Sequence, residues 1–227
     1  MRKIFSVSIF ILILSCKKEI TSHSLNAESK YDVKSISNSD TYLPLTKGSY
    51  WKYHVKTDDE TPDMSKLTVL GITKKINSKN YQSIKSVKDG ETDTLYYAHD
   101  NHDYYIYTNS GTSSTDKISM EILFLKDNIS VGNTWVLPAG TANGVNLRCY
   151  GKIVEKNITM TFSGTTYKNV IHSYVEIRKP LLFTYIVVNR QDFYTAEGIG
   201  IIKNTSDVSL PANSTTLTNI TDYDINQ

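Results

Sequence analysis

The chain is short of the residues that usually announce chemistry. It has two cysteines in 227 residues, which rules out a disulfide framework and a cysteine cluster for a metal. Glycine and proline are sparse, eleven and five against sixteen tyrosines, a balance that leans towards strands. Charge of one sign is missing too: 25 Lys and Arg against 23 Asp and Glu leave no strong overall field to draw the chain onto nucleic acid. The apolar run over residues 4–14 is about half the ~20 residues that a membrane-spanning helix needs. The GxSxG, HExxH, GxxxxGK[ST] and CxxC patterns are all absent. Gly198-Ile199-Gly200 lacks the third glycine and the helix of a dinucleotide fingerprint. Ser114-Thr115-Asp116-Lys117 matches SxxK only by letter, in a Ser/Thr/Gly-rich loop. What is present is 39% hydrophobic and 21% charged, the balance of a folded globular protein.

The N-terminus carries the clearest pattern. Met1-Arg2-Lys3 is basic, residues 4–14 are apolar but for Ser6 and Ser8, and Ser15-Cys16-Lys17-Lys18-Glu19 follows. Basic start, short apolar stretch and small residue describe a secretory signal peptide. Ile13-Leu14-Ser15-Cys16 resembles the bacterial lipobox. That resemblance implies cleavage after residue 15 and acylation of Cys16, which becomes the first mature residue. Several acyl chains, at ~0.8 kcal/mol per buried methylene, hold a protein at a membrane durably. Lys17 in place of Asp after the cysteine resembles Gram-negative lipoproteins sorted to the outer membrane. Lys17-Lys18-Glu19 looks partly like a surface-export tag, so the periplasmic face and the cell surface both stay open. Loss of residues 1–15 removes Arg2 and Lys3 and no acid, leaving the mature chain with no net charge.

Three parts are therefore expected: a signal peptide over 1–15, a lipidated cysteine and flexible tether over 16–41, and one β-rich domain over 42–227. The tether is rich in Ser, Lys and Asn and sustains no period; His23 within it reads as solvated. Beyond residue 42, short apolar or aromatic runs alternate with turn clusters. Strands are expected at 50–57, 66–75, 80–88, 92–98, 103–109, 146–157, 159–162, 170–178, 182–194, 200–204 and 216–225. Asn77-Ser78, Asp89-Gly90, Asn109-Ser110-Gly111 and Ser163-Gly164 supply turns between them. Residues 118–125 (ISMEILFL) suit a buried strand or a short helix equally well. Many short strands with hairpin turns make the fold all-β or mainly β, an antiparallel sheet.

Two segments share a pattern: Gly48-Ser49-Tyr50-Trp51 and Gly132-Asn133-Thr134-Trp135 each place Trp three residues after Gly. With Leu43-Pro44-Leu45 before the first, Thr166-Tyr167-Lys168-Asn169-Val170-Ile171 later and Tyr194 to Lys203 at the end, the order is PLxxGxxWxY, GxxW, TYxxVI, YxxxGxGxIK. This order resembles a group of uncharacterised bacterial outer-membrane lipoproteins, some similar to the lipoprotein-carrier half-barrels of the LolA/LolB type. The resemblance implies a curved antiparallel sheet, a half-barrel or open barrel cupping an apolar cavity; it implies no reaction. Read from the residues, each Gly permits a tight turn and each Trp plugs one end of the sheet. Gly198 and Gly200 flank Ile199 where a strand bends or another backbone comes close.

Candidate site residues follow. Trp51 and Trp135, with Tyr97 and Tyr105 from a hairpin whose two faces are both aromatic, could line a ligand site or simply pack. His99 and His102, three apart beside Asp100 and Asp103, could hold zinc or copper if the loop curls round the ion; an exposed turn explains them as well. Asp58-Asp59-Glu60 with Asp63 lacks EF-hand spacing and reads as a solvated loop. Cys149, if buried, is a small apolar side chain. No cofactor is indicated. The reading leans away from an enzyme and towards a lipid-anchored envelope protein that binds a hydrophobic or extended ligand, or an envelope partner, with its concave sheet. A glycan- or ester-directed hydrolase and a pocketless structural or assembly accessory are the alternatives.

Overall fold

The computed structural model describes residues 41–111, 117–209 and 213–226. The signal segment, Cys16, the tether and Ser114 to Asp116 lie outside the described residues. Twelve strands run in chain order: β1 (Tyr50–Thr57), β2 (Asp63–Ile76), β3 (Lys79–Lys88), β4 (Glu91–Asp100), β5 (Asp103–Ser110) and β6 (Ile118–Lys126), then β7 (Thr134–Ala142), β8 (Val145–Phe162), β9 (Thr165–Leu181), β10 (Thr184–Ala196), β11 (Gly200–Val208) and β12 (Ser214–Asp224). Each pairs antiparallel with its neighbour in sequence, and β12 pairs with β1 to close a barrel. The curved antiparallel sheet expected from the sequence is thus present, with its curvature carried to closure.

Residues 118–125 are strand β6. Strand β7 had no counterpart among the expected strands, because Pro138 and Gly140 interrupt it; the chain bulges between them. The expected strands at 146–157 and 159–162 are one strand, β8, with irregular register around Asn157, which takes a φ of 57°. Period-two alternation builds the wall. On β1, Trp51, Tyr53 and Val55 are buried and Lys52, His54 and Lys56 face outwards. Apolar side chains inside and charged ones outside are the reverse of a membrane-spanning barrel.

The two Gly-x-x-Trp segments adopt one structure. In the first, Ser49 N–H donates to Thr46 O, Gly48 N–H to Val69 O and Val69 N–H to Ser49 O. In the second, Asn133 N–H donates to Ser130 O, Gly132 N–H to Ile153 O and Ile153 N–H to Asn133 O. Both glycines sit in the left-handed region, at φ of 86° and 87°, which a side chain would strain. Every residue of the second turn lies 84 positions beyond its counterpart (132 against 48, 153 against 69). The strand pairs that follow match as well, Trp51 with Leu67 and Trp135 with Gly151.

A round twelve-stranded barrel is wider than the side chains of its wall can fill. Here β6 solves the problem. It pairs with β7 only from Ile118 to Met120, then leaves it, and its free edge turns towards β8 and β9. Side chains from the second half satisfy that edge: Trp135 Nε1–H donates to Leu123 O (3.1 Å), Cys149 Sγ–H to Leu123 O (3.7 Å) and Ser173 Oγ–H to Phe124 O (2.6 Å). The barrel is narrowed, and Trp51, Tyr53, Tyr97, Tyr104, Phe124 and Phe193 pack its aromatic end.

Candidate functional site

The narrowing decides what the sequence-derived candidates can do. Trp51 is 1% exposed and Trp135 6%. The Trp51 indole donates to Ile199 O (2.6 Å), between the two glycines noted in the sequence. A Cβ on Gly200 would stand 3.2 Å from that indole nitrogen, so the close approach there is between backbone and Trp51. Tyr97 faces inwards at 3% exposure, and burial raises its phenol well above the usual range. Tyr105 lies on the opposite face, its hydroxyl donating to Asp103 (3.2 Å) and Lys79 Nζ resting 4.6 Å above its ring. The four aromatic candidates are therefore not gathered in one place.

The two imidazoles have different partners, joined through the Tyr104 hydroxyl that donates to Asp127 (2.6 Å). His99 stacks on Tyr104 with ring centroids 4.5 Å apart and meets Asn101 O, while His102 Nδ1 lies 2.5 Å from Asp127. Among the described residues, no group of three or more His, Cys, Asp or Glu could hold a metal ion. Cys149 is fully buried, and burial pushes its thiol up to about 12, so it stays neutral.

Two long hairpins fold outwards over the wall, six strands apart. The β2–β3 hairpin bends at the register break between Val69 and Thr73 and covers the outer face of β4, β5 and β6. Lys79 pairs with Glu121 (2.8 Å), Asn77 Nδ2 donates to Glu121 (3.3 Å), and Lys74 lies over Tyr96. Tyr81, Tyr96 and Tyr107 close the space beneath, with ring centroids 5.9 Å apart in each neighbouring pair. Burial and the nearby Glu121 carboxylate raise the Tyr81 phenol far beyond its usual value.

The β8–β9 hairpin makes the corresponding fold over β11 and β12, but leaves room. Met160, Thr161, Phe162 and Ser163 from its tip face Lys203, Leu217 and Asn219 across a groove of about 420 Å³. Register places the far wall: Lys203 sits opposite Asn219, and Tyr194 opposite both Lys203 and His172. Phe162 stacks on Tyr167 (4.9 Å), which stiffens the hairpin end. Lys203 Nζ lies 5.3 Å over the Tyr194 ring, and His172 stacks on the same residue at 4.2 Å. His172 is held between Asp192 (Nε2, 2.6 Å) and Glu155 (Nδ1, 3.4 Å). This arrangement can orient a chain of apolar groups along Met160, Phe162 and Leu217, and meet a polar or anionic end at Lys203 and Asn219. Sequence reading assigned none of these residues to a site. The groove lining lies on three strands, β8, β11 and β12, and the turn after β8, and only the folding back of the hairpin brings these residues together.

No family model matches the chain, and no curated protein matches it. Solved structures of similar shape include a candidate lipoprotein from Parabacteroides distasonis (8% identity, TM-score 0.47, covering 83% of this chain and 100% of that one). A second is an exported-protein candidate with a YmcC-like fold from Bacteroides fragilis (9% identity, TM-score 0.48, 80% of this chain and 98% of that one). A LolA superfamily protein from Nitrosomonas europaea aligns at 9% identity and a TM-score of 0.31 over 85% of this chain and 92% of that one. Identities and TM-scores this low leave the reading of the site to its own geometry.

Proposed function

We propose that the chain is a lipid-anchored lipoprotein of the bacterial outer membrane, fastened through Cys16, that binds without catalysing. It takes an extended, mainly apolar ligand, or the extended segment of an envelope partner, in the groove beneath the β8–β9 hairpin. The observation that carries this reading is the contrast between two clefts in corresponding positions. One is sealed by tyrosines, and the other is open at about 420 Å³, within the size range of small-molecule sites. The aromatic end of the interior is filled by the protein's own side chains, which favours the outer wall as the place of binding. Beside the groove, His172 bonds Asp192 through Nε2 and stacks on a tyrosine, with Glu155 3.4 Å from its Nδ1, and Cys149 faces the barrel interior as a neutral thiol.

Leu217→Trp fills the groove from a partly buried position on the outer wall. It should weaken binding of a fluorescent fatty acid about tenfold, roughly 1.4 kcal/mol, while leaving the thermal midpoint in place. Unchanged affinity would place binding elsewhere. For the anchor, labelling with radioactive palmitate should vanish in Cys16→Ala, and labelling that persists would show the attachment site to be wrong.

A further inference from the structure

Among the described residues there are six two-residue hairpin turns. Five carry Asn, Asp, Ser or Gly where the backbone turns left-handed: Asn77-Ser78, Asp89-Gly90, Asn101-His102, Asn143-Gly144 and Ser163-Gly164. The sixth, between β9 and β10, is Leu182-Phe183. Leu182 holds a φ of 49°, a conformation in which its Cβ crowds the following carbonyl. Both side chains stand in solvent, Leu182 at 91% exposure and Phe183 fully exposed, with Leu181 and Tyr185 partly exposed behind them. Folding alone favours Asn-Gly here on both counts, turn conformation and solvation. Two large apolar residues at the tip therefore serve something outside the barrel.

Their surroundings identify it. No acid occurs between Glu176 and Asp192, a stretch that contains Arg178, Lys179 and Arg190. Arg178 and Arg190 turn back to Glu176, whereas Arg148 lies over the Tyr185 ring at 4.6 Å and Lys179 is on the strand leading to the tip. An apolar point backed by cations is the pattern of a segment that enters the boundary between headgroups and acyl chains of an anionic bilayer. A protein partner suits it less well. A convex tip of two side chains offers far less than the roughly 1,000 Å² that a stable protein interface buries.

We infer that the β9–β10 tip is a membrane-inserting finger, with Leu182 and Phe183 entering the lipid and Arg148 and Lys179 meeting anionic headgroups. The tip stands at the end of the barrel opposite Thr41, whose carbonyl accepts from Gly198 N–H beyond the far end of β10. The residues between Cys16 and Thr41 span at most about 80 Å, and the thirteen residues of β10 about 43 Å. The anchor and the finger can therefore engage the same bilayer, with the barrel standing on its tip. Insertion supplies the second attachment that a lipid anchor needs to hold an orientation.

The test uses the chain from Cys16 to Gln227 with Phe183→Trp, coupled by the Cys16 thiol to a maleimide lipid in phosphatidylethanolamine–phosphatidylglycerol vesicles. Chemical coupling makes the result independent of whether cells acylate Cys16, and of the groove. Trp51 and Trp135 are buried and give the background seen in the unsubstituted chain. Emission of the new tryptophan should shift to the blue and fall at least about twofold in vesicles with brominated acyl chains. Adding Leu182→Asp should return it to the emission of a water-exposed indole, and Arg148→Glu with Lys179→Glu should weaken quenching at low salt. Water-like emission unaffected by brominated lipid would overturn the inference and leave a protein pocket as the tip's occupant. Quenching that survives Leu182→Asp would overturn it equally.

Discussion

Gly151 shows how tightly single residues are set. A Cβ there would lie 2.0 Å from the Trp135 indole, which fills the space above the glycine and ties β7 to β6 through Leu123. The indole cannot retreat without giving up that hydrogen bond. Gly151→Ala should therefore destabilise the protein by about 2 kcal/mol, the usual scale for overpacking a dense core. A urea titration checks this, and Trp135→Phe in the same chain should recover part of the loss. The Gly-x-x-Trp pattern was visible in the sequence; the second glycine that receives the Trp was not, because nothing local to Cys149-Tyr150-Gly151 marks a close approach.

At the level of elements, β6 is the piece on which the interior depends. Its carbonyls at Leu123 and Phe124 leave the sheet ladder and are capped by side chains from β7, β8 and β9. Removing one cap strands a buried acceptor. Ser173→Ala should cost about 1–2 kcal/mol, and amide exchange along β6 should quicken before that of β8 and β9. Sequence patterning recovered most of the wall, since period two and turn residues are local properties: Asp89-Gly90 and Ser163-Gly164 stand where they were expected. It failed where tertiary context overrules propensity. Pro138 and Gly140 disguise β7, and ISMEILFL reads as a strand only because β5 offers it a full-length partner. The groove was illegible for a related reason. Met160, Lys203 and Leu217 are far apart in sequence and meet through a hairpin folding back on the wall.

On the scale of the whole molecule, buried phenols tie stability to alkaline pH. Burial raises Tyr53 and Tyr97 well above the ordinary value, and Tyr42 and Tyr167 to about 12, Tyr42 helped by the carboxylates of Glu197 and Asp127. The unfolded chain therefore gives up these protons before the folded one does. Their contribution to stability is full below about pH 10 and is lost as pH rises past it, through the folded-state values. Denaturant midpoints should hold level to about pH 9 and drop steeply above about pH 10, while the phenolate absorbance rises over the same range. A midpoint that stays level to pH 12 would show the phenols to be in contact with water.

Asn226, just beyond β12, is clasped to the turn before β1: its N–H donates to Ser49 Oγ (3.0 Å) and its side-chain amide to Lys47 O (2.8 Å). With the start of β1 and the end of β12 adjoining, and with a matching turn at Gly132, the barrel has two interchangeable places to begin. A circularly permuted gene that joins the old ends by a short linker and opens the ring ahead of Ser130 would start its polypeptide at the second tryptophan turn instead of the first. With the proposed anchor at its new start, the rearranged product would be tethered on the opposite half of the ring, turning a different flank towards the tether without altering any strand pairing.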